Sequence, residues 1–235
     1  MITGTPARSL RWMAEGQAYF LTRLEPASDE ELQGPSRLPG WSGRHLLSHL
    51  GYNARALGRL VHWAATGEET PMYPGPDARA EEIEAGAVWP VSRLRAFVAE
   101  EHDRLAAALN RLTGPQWDAE VVTAQGRTVP ARTVPWLRGR EVWIHACDLP
   151  FGGDFADFPA DFLDALIEDA LTRRRTAQGL RLQVRATDRG SRTDGSTGVV
   201  EGPAADLARW LTGRGTSGRL RTTAGAPLPE LPPWL

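Results

Sequence analysis

Glu141-Val142-Trp143-Ile144-His145 puts a carboxylate and an imidazole four residues apart in a segment that reads as helix. Positions i and i+4 share one helix face, with Cβ atoms roughly 5–6 Å apart, so the two side chains can hold one ion between them. A second imidazole is offered by Leu46-Leu47-Ser48-His49-Leu50 on another predicted helix. His45 and His49 form an i, i+4 pair of their own, and spacing alone does not choose between them. Two histidines and one glutamate are the ligand set of a catalytic zinc with an open fourth position, whereas a structural zinc is closed by four protein ligands. The zinc-protease pattern His-Glu-x-x-His is absent. A histidine beside an apolar stripe is more often a hydrogen-bonded core residue than a ligand. A carboxylate on a half-apolar helix is harder to set aside, because once buried it must be paired or bound to a cation. His62 and His102 have no partner at ligand spacing and read as surface or core residues. Asp148 shares a face with Leu137, Glu141 and His145, and either accepts a hydrogen bond from His145 or simply ends the helix.

The elements that must position these residues follow from apolar periodicity and punctuation. Thr5-Pro6 starts a first helix over about residues 6–24, with Leu10, Met13, Phe20, Leu21 and Leu24 as its apolar stripe. Ser42 caps a second helix that runs to Thr66, where Gly67 stops it; Leu46, Leu47, Leu50, Leu57, Leu60 and Val61 recur at helical spacing. A loop over 67–76 leads to a short acidic helix near 78–85, then to a third long helix from Val91 to Leu112 ended by Gly114-Pro115. Val121-Val122-Thr123 and Arg127-Thr128-Val129 flank Ala124-Gln125-Gly126 as a hairpin, and a fourth long helix covers Pro135–Leu149. Four long helices make a bundle, whose core is where such proteins build metal sites. Beyond Gly152-Gly153 the pattern changes to a helix over 159–178, a strand over 180–185, a Gly/Ser-rich turn, a strand over 198–201, a helix over 204–213 and an extended proline-rich tail from Pro227. The fold class is therefore α+β, with a helical domain over 1–152 and a smaller α/β domain over 153–235.

Composition narrows the chemistry. The 235 residues carry a net charge of −2 and no dominant basic stripe, which argues against nucleic acid as a partner. All 27 basic residues are arginine, so Schiff-base and lysine general-base chemistry are excluded. The one cysteine, Cys147, excludes an internal disulfide and a Cys-rich metal site, and it faces away from Glu141 and His145. No apolar run approaches the ~20 residues that span a bilayer, and no signal peptide is evident, so a cytoplasmic location away from the membrane is expected; the sequence does not fix the oligomeric state, and a monomer is the working expectation.

Several motifs co-occur: Leu38-Pro39-Gly40-Trp41-Ser42 followed by His49, Gly67-Glu68-Glu69-Thr70-Pro71-Met72-Tyr73, Thr123-Ala124-Gln125-Gly126-Arg127-Thr128-Val129-Pro130, and Arg140-Glu141-Val142-Trp143-Ile144-His145. Together with Gly213-Arg214-Gly215 and the Pro-Pro-Trp-Leu end, they make the chain resemble, over nearly its whole length, the mycothiol-dependent maleylpyruvate isomerases of the DinB-like superfamily. The resemblance implies a DinB-like four-helix bundle carrying zinc on His49, Glu141 and His145, which decides against His45, and a smaller C-terminal α/β domain. It also implies that Arg79 and Arg214 act in catalysis on a dianionic substrate, a task to which paired arginine hydrogen bonds are suited. Zn2+ and mycothiol are the implied cofactors, and the implied reaction is the cis–trans isomerisation of maleylpyruvate to fumarylpyruvate in gentisate-type aromatic degradation.

That reaction suits the residues. A carbon–carbon double bond does not rotate, but reversible addition of a thiolate makes it a single bond, and the chain has no well-placed thiol of its own. Two alternatives stand beside this reading. One is a mycothiol S-transferase acting on another electrophile, which zinc spacing cannot separate from an isomerase but which has less need of two arginines. The other is a non-enzymatic metal-binding regulator, against which the open three-ligand set argues.

Overall fold

The computed structural model describes residues 6–189 and 199–234. The chain divides into two compact units, one within Gly4–Gly153 and one from Asp154 onward. In the first, Pro6 opens α1 (Pro6–Leu24), and a short α2 (Asp29–Gln33) follows. Ser28 caps α2 with a reciprocal Ser28/Glu31 capping box. α3 (Gly43–Thr66) begins at Ser42, whose side chain accepts from the His45 amide, and stops at Gly67, whose φ of 79° is open to glycine. α4 (Ala78–Ala87) and α5 (Val91–Leu109) follow. α6 (Gly114–Trp117), β1 (Glu120–Val122), β2 (Thr128–Pro130) and α7 (Val134–Ala146) complete the unit.

Among the described residues, α1, α3, α5 and α7 are the long helices of this unit, with α1 packed along α7 and α3 along α5. The apolar stripe of α3 is buried throughout, as are Leu94, Phe97, Val98, Leu105 and Leu109 of α5. On α1, Trp12, Met13, Phe20 and Leu24 are buried, while Leu10 and Leu21 are only partly covered. Two helices end earlier than periodicity predicts. α5 stops at Leu109 rather than Leu112 because Arg111 and Leu112 bond three residues back, to Ala108 and Leu109, and Thr113 caps α6. α7 stops at Ala146 rather than Leu149, since the amides of Cys147 and Asp148 turn to Ile144 and His145; Leu149 is buried from a turn. The hairpin forms as expected, with Val121 opposite Val129 and Gly126 at φ 72° in its tip.

The second unit holds α8 (Ala160–Gln178), β3 (Val184–Ala186), β4 (Val200–Gly202), α9 (Ala204–Leu211) and β5 (Arg221–Thr222). The sheet order is β3-β4-β5, with β3 parallel and β5 antiparallel to β4. The strand expected over 180–185 forms as β3 over 184–186, and the turn expected before β4, with Gly198, lies outside the described residues. Buried Arg174 of α8 donates to the Leu211 carbonyl that ends α9 and to the Pro232 carbonyl of the tail, which fixes the tail without regular structure. The architecture is a helical bundle followed by a smaller part with a short mixed sheet. No helix among the described residues is long and apolar enough to cross a membrane.

Candidate metal centre

α3 contributes His49 from its second turn, and α7 contributes Glu141 and His145 from successive turns of one face. The two ligand-bearing helices are locked together by Arg138. This fully buried guanidinium donates to the Leu50 carbonyl at 2.7 Å, Asn53 Oδ1 at 3.0 Å and Gln17 Oε1 at 3.4 Å. It thereby ties α7 to the residue next to His49 on α3, and to α1. Gly16 of α1 leaves room for the Val142 and Trp143 side chains of α7, where a Cβ would collide with them.

One carboxylate oxygen is the focus. Glu141 Oε2 lies 3.0 Å from His49 Nε2 and 3.3 Å from His145 Nε2. The three donor atoms all fall within 4.8 Å of one another. Around a tetrahedral zinc, with ligand distances near 2.0–2.1 Å, donor atoms stand about 3.3 Å apart, so this donor set fits zinc with little movement. The imidazoles meet edge to face, with ring centroids 4.9 Å apart, and the Trp41 ring lies 5.4 Å from that of His49. Asp148 accepts from Nδ1 of His145 at 2.8 Å while itself 1% exposed, which fixes the ring and leaves Nε2 to face inward.

The charges follow from burial and these contacts. Burial is the strongest influence on His49 and, with the charges of His145 and Arg79, outweighs the pull of Glu141, so its pKa falls to about 4. His145 is also buried, which opposes its charge, yet its hydrogen bonds to Asp148 and Glu141 prevail and hold its pKa above the ordinary imidazole value. Burial likewise opposes the Glu141 carboxylate, and the two imidazoles overcome that, holding it well below the usual range. The cluster thus favours an ionised Glu141, a neutral His49 and a proton on His145, and a metal ion would compete with that proton.

The other expected site residues fall in different places. Arg79 is exposed in the first turn of α4, and its charge is felt by His49. Arg214 lies in the second unit, where Gly213 at φ 76° ends α9. The amides of Gly213 and Arg214 return to Trp210 and Arg209, so Arg214 occupies a fixed backbone position. His45 is occupied as part of the α3 cap, with Nδ1 2.7 Å from Ser42 Oγ, and its Nε2 faces Glu84 at 3.4 Å. Cys147 is buried with Sγ 3.9 Å from the Trp143 carbonyl. His102 is buried and pushed down to about 3 by burial and the charge of Arg138, and His62 is exposed opposite Glu68. The sequence reading missed Arg138 and Trp41. Trp41 lies in a quoted motif, but Arg138 carried no local signal, because its acceptors are distant in the chain.

Two imidazoles and a carboxylate drawn together inside a helical bundle form a set that could hold a single metal ion. Residues 13–150 match the family model of the mycothiol maleylpyruvate isomerase N-terminal domain, and residues 157–233 match that of the corresponding C-terminal domain. The chain belongs to the mycothiol-dependent maleylpyruvate isomerase family. Among solved structures, a mycothiol-dependent maleylpyruvate isomerase is 37% identical over 98% of both chains, with a TM-score of 0.89. A variant of a mycothiol-dependent maleylpyruvate isomerase with one histidine replaced by alanine matches over the same shares at 37% identity and a TM-score of 0.88. No curated protein gives a match.

Proposed function

We propose that the protein is a zinc- and mycothiol-dependent isomerase that converts maleylpyruvate to fumarylpyruvate in the cytoplasm. The observation that carries this reading is the cluster of His49, Glu141 and His145, three donor atoms within 4.8 Å of one another with both imidazoles buried, in a chain of this family. The sole cysteine is buried within the turn after α7, which leaves the thiol to a separate small molecule.

When bound, zinc and mycothiol together supply a thiolate that adds reversibly to the cis double bond, making it a single bond that can turn before the sulfur leaves. The chain's own residues prepare for that chemistry. His49, Glu141 and His145 would hold the cation, and with only one carboxylate among them a divalent ion bound there would keep a positive charge that favours an anionic ligand. Asp148 keeps His145 Nδ1 protonated and Nε2 directed inward. Arg79 and Arg214 bind the substrate carboxylates through paired hydrogen bonds.

Zinc-loaded protein should convert maleylpyruvate to fumarylpyruvate only when mycothiol is added, and a chelator should stop it. Turnover without mycothiol would overturn the reading, and accumulation of a stable S-conjugate in place of fumarylpyruvate would make the protein an S-transferase.

A further inference from the structure

We propose that Trp234 is a positioning residue for Arg214: its ring anchors the proline-rich tail, and the anchored tail braces the turn from which Arg214 reaches the substrate. The proposal rests on the reading of Arg214 as a carboxylate-binding residue, and every contact that carries it lies within the second unit.

On one side the turn is held by α9. The amides of Thr212, Gly213 and Arg214 return to the carbonyls of Ala208, Trp210 and Arg209, and the Thr212 hydroxyl donates to Ala208 as well. On the other side the chain leaves Arg214 through exposed residues 215–219. A guanidinium at the end of a long stem makes two parallel hydrogen bonds to a carboxylate only where its backbone is placed accurately. The end of α9 supplies one support for that placement, and the tail supplies a second.

The tail is tied down through α8. Arg174, 1% exposed, donates through Nε and Nη2 to the Leu211 carbonyl at 3.1 and 2.8 Å, and through Nη1 to the Pro232 carbonyl at 2.9 Å. One planar fork therefore clamps the last residue of α9 to the tail. Two residues on, the Trp234 ring centroid lies 5.7 Å from the Arg174 guanidinium carbon and 5.8 Å from that of Arg173, within cation–π range. Arg173 is itself held by Asp169 at 3.0 Å. The backbone of Trp234 then rests on the turn. A Cβ on Gly213 would meet Trp234 Cβ at 3.5 Å and its amide nitrogen at 3.9 Å, so the two segments are in van der Waals contact. Trp234 thus bears on the residue just before Arg214 and is fastened to the guanidinium that also holds the end of α9. Pro232 and Pro233 restrict the backbone that leads to the ring, which lowers the entropy lost in anchoring it.

Trp234→Ala should keep a full complement of zinc, since the candidate ligands all belong to the first unit. With zinc and mycothiol present, its kcat/KM for maleylpyruvate should fall by about tenfold, because a misplacement of about 1 Å can cost about 10²-fold and the loosened turn shifts by a fraction of that. Trp234→Phe, which keeps a ring beside the two guanidiniums, should recover most of the loss. A double-mutant cycle separates positioning from general loosening: in an Arg214→Ala background, Trp234→Ala should cost less than about twofold more. Thermal midpoints on the same samples show that each variant is folded at the assay temperature. The same loss in both backgrounds, unchanged kcat/KM in Trp234→Ala, no recovery with phenylalanine, or loss of zinc or of fold would overturn the proposal and leave the isomerase reading intact. Parent-like kinetics in Arg214→Ala would overturn the reading of Arg214 and this proposal with it, whereas an inactive parent protein overturns the isomerase reading itself and both that depend on it.

Discussion

At the scale of single residues, the donor cluster binds protons as well as being the candidate metal site, and its titration predicts how the metal-free protein responds to pH. His145 is held above the ordinary imidazole value by Asp148 and Glu141, against its own burial. Its contribution to stability is therefore complete below the unfolded value near 6.5 and is lost as pH rises through the folded one. His49, at about 4, and His102, at about 3, act in the opposite sense. Unfolding lets them take up protons, so their contribution is present above about 6.5 and is lost as pH falls toward the folded values. Glu141, held low, adds to the loss at the acid end below about 4.5. Chelated protein should thus be most stable near pH 6.5 and lose stability on both sides. With zinc bound, the alkaline loss should disappear, because the metal replaces the proton on His145. Thermal midpoints of chelated and zinc-loaded protein, followed from about pH 5 to about pH 9, test this. A chelated midpoint that climbs steadily past pH 7 would contradict it. Much at this scale was legible in the sequence. The Glu141/His145 spacing is local, and the structure brings that pair to His49. The choice between His45 and His49 was not legible from spacing, since both lie on one face. Only the fold reveals that His45, three residues past Ser42, turns back to close the helix cap.

At the scale of elements, the cluster depends on how closely α1 and α7 approach. A Cβ on Gly16 would lie 2.6 Å from Trp143 Cδ1 and 2.7 Å from Val142 Cγ2. Trp143 cannot simply step aside, because its indole donates to the Trp12 carbonyl at 2.9 Å and its ring stacks on Tyr19. Gly16→Ala must therefore push α7 outward, and with it Glu141 and His145. Alanine gains about 1 kcal/mol in helix propensity, but overpacking costs about 1–3 kcal/mol, so net destabilisation of up to about 2 kcal/mol is expected together with weaker zinc binding. Denaturant unfolding and a competitive zinc titration measure the two effects, and unchanged zinc affinity would show that helix spacing does not set the site. Element boundaries were readable where a local device made them. Ser42 and Gly67 define α3, and the Ser28-to-Glu31 box that makes α2 was present in the sequence but went unused. They were misread where apolar periodicity ran past the helix end, as at Leu112 and Leu149. Both are buried from turns, and burial alone does not require a helix. β5 is two residues long and exists through its pairing with β4, which no local pattern announces.

At the scale of the whole molecule, the residues proposed for the metal and one of those proposed for the substrate belong to different units. His49, Glu141, His145 and their support from Asp148 and Arg138 all belong to the first unit, whereas Arg214 belongs to the second. Its backbone is set by the turn that closes α9, so replacing the side chain leaves that turn in place, and the guanidinium donates to the Thr212 carbonyl two residues back. If Arg214 binds a substrate carboxylate, Arg214→Ala should retain a full complement of zinc and the parent's thermal midpoint. It should lose about 10- to 10²-fold in kcat/KM, in keeping with the about 1.5–3 kcal/mol of a charge-assisted hydrogen bond. Arg214→Lys should recover only part of that loss, since an ammonium cannot match the two-point contact of a guanidinium with a carboxylate. Metal content, unfolding and steady-state kinetics on the two variants decide the matter. Loss of zinc in either would make Arg214 structural. Full recovery in the lysine variant would reduce its part to charge alone. Parent-like kinetics in the alanine variant would leave the carboxylates to Arg79 and the first unit.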